Sequence, residues 1–195
     1  FLIFFILKHM DSRVTIITGP IGSGKSTACE YLANKNFKTI DLDQISNEIL
    51  QSKDSLPFLK EEFSNCVKGN TVDRQLLADI VFTNSEKLRL LENFLHPLVT
   101  ERVLVVIQET KEHLFIEASA PKNISKLYPT VVIFADEQTR RNRLKKRGMS
   151  LTDIDNRIKT QQDESWWKSL GLVIENTSVK ELQAQLDNFF DSKNE

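Results

Sequence analysis

Cysteine and net charge are both scarce in this chain of 195 residues. The two cysteines, Cys29 and Cys66, have no paired spacing, which argues against a disulfide framework or a zinc site and favours a reducing cytoplasm. The 26 Lys and Arg residues nearly balance 27 Asp and Glu residues, so the net charge is −1. We therefore expect no nucleic-acid or membrane-surface partner, since proteins with such partners usually carry a positive field.

Long hydrophobic runs are also missing. The apolar segment FLIFFIL at residues 1–7 is too short to span a bilayer and lacks the basic leader and the cleavage site of a signal peptide. We expect Met10 to be the natural start, with residues 1–9 forming a non-native or disordered extension.

Short apolar runs alternate with helical patterns, which predicts an α/β fold with a five-stranded parallel sheet. The predicted strands are residues 13–18, 38–41, 113–118, 130–135 and 171–176. The predicted helices are residues 26–35, 44–51, 56–63, 74–82, 85–111 and 138–147, with a last helix starting at Ser178. Because residues 55–111 are nearly all helical, we expect a lobe there, beside a nucleotide-binding core made of residues 10–54 and 112–195.

Residues 17–27, ITGPIGSGKST, contain the complete phosphate-loop pattern G-x-x-x-x-G-K-[S/T] between a predicted strand and a predicted helix. Glycines let the backbone wrap closely around phosphates, and the start of the helix adds its positive dipole end. The pattern predicts that Lys25 reaches the β- and γ-phosphates of a nucleoside triphosphate and that Ser26 binds Mg²⁺. The loop residues predicted to bind ATP are Gly22, Ser23, Gly24, Lys25, Ser26 and Thr27.

The acceptor of the phosphoryl group must be inferred from other residues. The segment NKNF at residues 34–37 is followed by no aspartate, so the base-reading motif of a switch GTPase is missing, and the chain length favours a small P-loop kinase. Such a kinase needs a carboxylate that orients and deprotonates the acceptor hydroxyl. Asp41 and Asp43 lie at the carboxyl end of the second predicted strand, where ligands bind in open α/β sheets. The residues alone leave open whether both aspartates face the acceptor or whether one of them only caps the helix that begins near Gln44.

Several segments together resemble the dephospho-coenzyme A kinase family over about residues 13–190. The segments that carry the resemblance, in order, are ITGPIGSGKST, TIDLDQISNEIL, VDRQLLADIVF, LLENFLHPLVTE, VVIFADEQTRRNRLKKRGMS and VIENTSVKEL. The resemblance implies phosphorylation of the ribose 3′-hydroxyl of dephospho-coenzyme A, with ATP and Mg²⁺. It also implies a helical coenzyme A lobe and a mobile lid at about residues 138–168.

The same resemblance implies roles for single residues on the acceptor side. Asp43 matches the catalytic aspartate of the family. Arg74 and His96 match positions that line the dephospho-coenzyme A site, to which we also assign Asp41. Without the resemblance, His96 would be interpreted as a structural histidine, with a helix break at Pro97, and Arg74 as a solvated arginine.

Further roles are implied on the ATP side. Arg143 and Arg147 lie where the lid helix offers arginines to phosphate, although RRNRLKKR also fits a solvated helix face. Asn176 matches a position beside the adenine of ATP. Glu117 stands where the family usually has an aspartate near Mg²⁺.

Two other functions stay open from the sequence. One is a different small P-loop kinase that acts on a nucleoside, a nucleotide or a small metabolite. The other is a non-catalytic ATP-binding protein, because Ser119-Ala120-Pro121 replaces a Pro-Leu-Leu segment that the family usually has after its third strand. Whichever function applies, we expect the chain to be a monomer or a weak oligomer.

Overall fold

The computed structural model describes residues 12–121 and 123–191. Residues 1–9, assigned above to an extension, lie outside the described residues. The strands are β1 (Val14–Thr18), β2 (Lys38–Asp41), β3 (Val67–Lys68), β4 (Thr71–Val72), β5 (Leu114–Glu117), β6 (Thr130–Phe134) and β7 (Leu172–Glu175). The helices are α1 (Lys25–Asn34), α2 (Leu42–Gln51), α3 (Leu56–Glu62), α4 (Arg74–Thr83), α5 (Ser85–Glu109), α6 (Glu137–Lys146), α7 (Leu151–Lys159), α8 (Glu164–Lys168) and α9 (Val179–Asp191).

Five strands form one parallel sheet in the order β2-β5-β1-β6-β7, which confirms the predicted fold class. Every residue of β1, β5 and β6 is buried. Continuous apolar runs suit such strands because helices cover parallel sheets on both faces. Ile17 pairs with Glu117 in the register of β1 and β5, so the carboxyl end of β5 lies beside the strand that leads into the phosphate loop.

The chain divides into two compact units, one formed by residues up to Ile40 and from Glu112 onward, the other by Asp41–Lys111. In the first unit, one face of the sheet packs against α1 and α9. The buried residues of this cluster are Ile17, Ala28, Cys29, Leu32, Phe115, Val131, Ile133, Ile174, Leu182 and Leu186. This packing holds the start of α1 directly after β1, where the phosphate loop connects them.

The second unit is helical apart from the β3–β4 hairpin and has its own core. Its buried cluster consists of Leu50, Leu56, Leu59, Phe63, Cys66, Val72, Leu77, Val81 and Leu91. The unit begins at Asp41, and not at residue 55 as predicted from the sequence. Helix α2 belongs to it because Leu50 is buried in this cluster, a packing choice that the helical pattern of α2 cannot reveal.

Helix α5 continues through Pro97, as in the helix predicted over residues 85–111, and the helix break that Pro97 suggested is absent. Proline removes one hydrogen bond to the preceding turn and costs about 3 kcal/mol in a helix interior. The carbonyl oxygen left without this hydrogen bond belongs to Asn93. Both Asn93 and Pro97 are exposed, so water can reach the backbone there. Leu91 before the proline and Val103 and Ile107 after it are buried, and their burial stabilises both halves of the helix.

The β3–β4 hairpin and helices α7 and α8 are not among the predicted elements. Strands of two residues are too short to show an alternating pattern, and Gly69 forms their turn with φ 63°. None of the helices in the described part of the chain is long and apolar enough to cross a membrane.

Candidate active site

The phosphate loop follows β1 and has the backbone geometry that its glycines allow. Gly19, Gly22 and Gly24 have φ values of 148°, 78° and 103°, a region that favours glycine. A Cβ atom at Gly19 would also collide with the carbonyl oxygen of Ile133. Gly24 is the N-cap of α1 and no side chain caps this helix, so its first N–H groups can serve phosphate oxygens.

Lys25 is the first residue of α1, and its side chain folds back over the loop. Its Nζ donates to the carbonyl oxygens of Gly19 at 3.0 Å and of Pro20 at 3.5 Å. The ammonium group therefore lies above the same loop whose N–H groups start α1. Thr27, also predicted to bind ATP, is half-buried on the same helix.

The two residues assigned to the metal from the sequence, Ser26 and Glu117, contact each other. The Ser26 hydroxyl donates to Glu117 Oε1 at 2.9 Å. Glu117 ends β5 and is only 7% exposed. Thr18 stabilises the end of that strand, because its hydroxyl donates to the carbonyl oxygen of Ala118 at 2.7 Å. A hydroxyl and a carboxylate thus meet beside the phosphate loop, although 91 positions separate them in the chain.

Arg143 on α6 lies against the phosphate loop. Its guanidinium donates to the carbonyl oxygens of Ser23 at 3.2 Å and Gly22 at 3.5 Å, and to the backbone and side-chain oxygens of Asn176 at 2.9 and 3.2 Å. Burial lowers the pKa of Arg143, and the charge of Arg147 lowers it further. Arg147 itself is exposed at the end of α6. Asn176 is buried directly after β7, and its amide donates to the Ser23 carbonyl at 2.7 Å.

Two further residues that sequence reasoning did not single out hold the same loop. Arg140 is buried, and its guanidinium donates to the carbonyl oxygens of Ala135 at 3.1 Å and Ile21 at 3.4 Å. The side chain of Gln161 accepts a hydrogen bond from the Ile21 N–H at 2.9 Å. Arg140 stands within the basic run RRNRLKKR and is the one buried arginine of that run, a difference that the sequence does not show.

The two aspartates at the start of the second unit have different surroundings. Asp41 is the N-cap of α2, and its Oδ1 accepts a hydrogen bond from the Asp43 N–H at 2.8 Å. This contact bears out capping as one role of Asp41. Asp43 lies in the first turn of α2 with an exposed side chain. Within the described ranges, no group donates a hydrogen bond to its carboxylate, which is therefore available to a hydroxyl.

Arg74 and His96, the predicted acceptor residues, are both exposed on helices of the second unit. Arg74 begins α4, directly after the N-cap Asp73. His96 lies in the middle of α5. Its exposure excludes the alternative that it is a satisfied core histidine.

A cavity of about 390 Å³ lies between α2 and α5 in the second unit. It is lined by Ile45, Glu48, Ile49, Ser52, Asp54, Ser55, Leu98, Glu101, Arg102 and Val105. The residues two, five and six positions after Asp43 on α2 line the cavity, and so do the residues two, five and six positions after His96 on α5. At about 100° per residue, these spacings turn both side chains away from the cavity.

The fold and the loop define the class of protein. A complete phosphate loop between a buried strand and a helix, on a parallel sheet of five strands, is the architecture of the P-loop kinases. A shikimate kinase from Acinetobacter baumannii shares this fold, with a TM-score of 0.54 and 12% identity over 92% of this chain and 93% of that chain.

The chain belongs to the dephospho-CoA kinase family, whose sequence model matches residues 13–181. The dephospho-CoA kinase of Fusobacterium nucleatum is 31% identical, over 92% of this chain and 98% of the relative. That of Oceanobacillus iheyensis is 34% identical, over 88% of this chain and 93% of the relative. Membership of a kinase family implies the use of ATP as the phosphoryl donor.

Solved structures resemble the chain over nearly its whole length. The crystal structure of TT1252 from Thermus thermophilus has a TM-score of 0.84 and 27% identity, and covers 92% of this chain and 96% of that chain. A dephospho-CoA kinase from Campylobacter jejuni has a TM-score of 0.70 and 23% identity, over 94% of this chain and 99% of that chain.

Proposed function

We propose that this chain transfers the γ-phosphoryl group of ATP to the ribose 3′-hydroxyl of dephospho-coenzyme A, which makes coenzyme A in the last step of its biosynthesis. The observation that carries the proposal is the family match over residues 13–181, which spans the phosphate loop and the helical unit in one alignment. The hydrogen bond between Ser26 and the buried Glu117 supports it from the structure.

On the donor side, Lys25 and the N–H groups at the start of α1 bind the phosphates. Positive charge there is most valuable as negative charge moves onto the transferring oxygens. Arg143, Arg147 and the segment at about residues 138–168 form the lid over ATP. Guanidinium groups suit this role because their planar fork matches phosphate oxygens.

A magnesium ion fits the residues present. Mg²⁺ prefers hard oxygen ligands and is usually bound by one or two carboxylates together with phosphates and water. Ser26 and Glu117 supply a hydroxyl and a carboxylate that already lie within 2.9 Å of each other. The described residues contain no group of three or more His, Cys, Asp and Glu side chains able to hold a metal ion, so phosphates and water would complete the set. When bound, the ion neutralises charge on the phosphate oxygens.

On the acceptor side, Asp43 orients the ribose hydroxyl and takes its proton as the new bond to phosphorus forms. Arg74 and His96 bind dephospho-coenzyme A through the helical unit. Both side chains are exposed and outside the buried cluster of that unit, so a ligand can contact them. Asp41 supports Asp43 by capping the helix on which Asp43 lies.

The direct test is to incubate the protein with Mg-ATP and dephospho-coenzyme A and to look for coenzyme A by mass spectrometry. An acceptor analogue without the 3′-hydroxyl should receive no phosphoryl group. The Lys25→Ala variant should be inactive, whereas Lys180→Ala, which changes an exposed lysine of α9, should be as active as the parent. Transfer to the analogue, or faster transfer to nucleosides or other small alcohols, would overturn the proposal.

A further inference from the structure

Asn176 occupies a rigid position where the carboxyl ends of β6 and β7 meet. It follows β7 directly, and its backbone N–H donates to the Phe134 carbonyl at 2.6 Å. Only 4% of Asn176 is exposed. A side chain at this position therefore has little freedom, and the groups that it touches define its role.

Both ends of the Asn176 amide are used. Nδ2 donates to the Ser23 carbonyl at 2.7 Å, and Oδ1 accepts from Arg143 Nη2 at 3.2 Å. Arg143 also donates to the same Ser23 carbonyl at 3.2 Å. These contacts fix the orientation of the amide, because an oxygen facing the Ser23 carbonyl would be repelled.

Asn176 also packs on the next residue of the loop. A Cβ atom at Gly24 would collide with Nδ2 of Asn176. Ser23 is fully buried, and its hydroxyl has no hydrogen-bond partner among the described residues. The hydrogen bonds that hold Ser23 are therefore made by its backbone. The shortest one to its carbonyl oxygen comes from the side-chain amide of Asn176.

We propose that Asn176 is a positioning residue of the phosphate loop and does not recognise the nucleotide base. It holds the Ser23–Gly24 peptide so that Lys25 and the first N–H groups of α1 face the phosphates. Ser23 and Gly24 directly precede Lys25, so a rotation of this peptide would redirect those donors. The proposal requires only that the chain binds ATP, and its failure would leave the proposed acceptor untouched.

The test is the Asn176→Asp variant, which keeps the size of the side chain but turns an oxygen toward the Ser23 carbonyl. Binding of Mg-ATP and of Mg-tripolyphosphate is measured by calorimetry. Tripolyphosphate has the phosphates of ATP and no base, so a residue that acts through the loop affects both ligands. We expect the Kd of each ligand to rise by a similar factor, about tenfold or more. The ratio of the Kd values for ATP and GTP should stay as in the parent.

Asn188→Asp, the same chemical change at an exposed position of α9, is the matched control and should leave both Kd values unchanged. If the buried carboxylate of Asn176→Asp prevents folding, Asn176→Ala is used instead. This variant removes the hydrogen-bond donor without adding charge, and we expect the same rise in both Kd values. An unchanged Kd for tripolyphosphate with a weakened Kd for ATP and an altered ATP/GTP ratio would show base recognition and overturn the proposal. A lower melting temperature with both Kd values unchanged would also overturn it, since Asn176 would then only stabilise the fold.

Discussion

The exchange of Asp43 for Asn separates an effect on catalysis from an effect on stability. The carboxylate is exposed and accepts no hydrogen bond from the described residues, so its loss removes no packing. The amide of Asn cannot accept the proton of the acceptor hydroxyl. General-base catalysis typically contributes about 10²- to 10⁴-fold, so we expect kcat of Asp43→Asn to fall by a factor in this range.

The structure also bounds the effect of this change on stability. Asp43 lies in the first turn of α2, where a negative charge interacts favourably with the helix dipole by about 0.3–1 kcal/mol. For a chain of this size, 1 kcal/mol shifts the melting temperature by about 2–4 °C. Asp43→Asn should therefore melt within a few degrees of the parent and still bind Mg-ATP.

Asp41 provides the matched comparison two positions earlier. Asparagine caps helices as well as aspartate, so Asp41→Asn should keep both the cap and nearly all activity. Asp41→Ala removes the acceptor of the 2.8 Å hydrogen bond from the Asp43 N–H and should cost about 0.5–2 kcal/mol of stability. The two aspartates are thus expected to affect different measurements.

The assay is the initial rate of coenzyme A formation at saturating ATP and acceptor, with a thermal melt of each variant. The reasoning fails if Asp43→Asn turns over within a few-fold of the parent. If Asp41→Asn is inactive in the same experiment, Asp41 is the base and the capping contact is incidental. If both variants are nearly normal, the base lies elsewhere, and Glu117 is the next carboxylate to test.

Four further outcomes are expected. Lys25→Ala should lose nearly all transfer in the same rate assay, because its ammonium serves the β- and γ-phosphates; near-normal turnover would contradict the assignment of the phosphate loop. Glu117→Gln should raise the Mg²⁺ concentration needed for half-maximal rate, as measured by metal titration, and an unchanged titration would exclude Glu117 from the metal site. Arg74→Ala and His96→Ala should raise the KM for dephospho-coenzyme A or lower kcat while the Kd for ATP stays constant; their exposure predicts nearly unchanged melting, and an equal loss of ATP affinity would contradict an acceptor role. Burial raises the pKa of the Cys66 thiol. The buried thiol therefore contributes to stability below the ordinary thiol pKa of about 8.5, and this contribution is lost as the pH rises through the higher pKa of the folded state. In urea unfolding, the midpoint of Cys66→Ala should fall less between about pH 7 and about pH 10 than the midpoint of the parent.

The bounds of most strands and helices could be predicted from the sequence, because the pattern of buried side chains in each element is visible in its own residues. The strand predicted at residues 38–41 coincides with β2, and the other sheet strands differ by at most one residue at either end. The predicted helices begin or end within two residues of the observed ones. Apolar runs and helical periods are short-range signals, so the chain itself carries them.

Long-range packing was not predictable in the same way. The sequence placed residues 44–51 with the nucleotide-binding core, whereas α2 packs in the second unit through Leu50. Pro97 suggested a break within the helix predicted over residues 85–111, and the burial of Leu91, Val103 and Ile107 overrides that local signal. In both cases the deciding contacts are with residues that are distant in the sequence, so a local pattern does not show them.

The phosphate loop was determined by the sequence alone, because its chemistry depends on contiguous glycines, one lysine and one serine that act through the backbone. Only the tertiary structure decided what holds that loop. Asn176 reaches the Ser23 carbonyl across 153 positions, and Arg143 reaches it across 120. The local sequence around an asparagine after a strand, or around an arginine in a basic run, does not reveal whether that residue contacts the phosphate loop. They become parts of one site only when β1, β6 and β7 lie side by side and bury them against the same peptide.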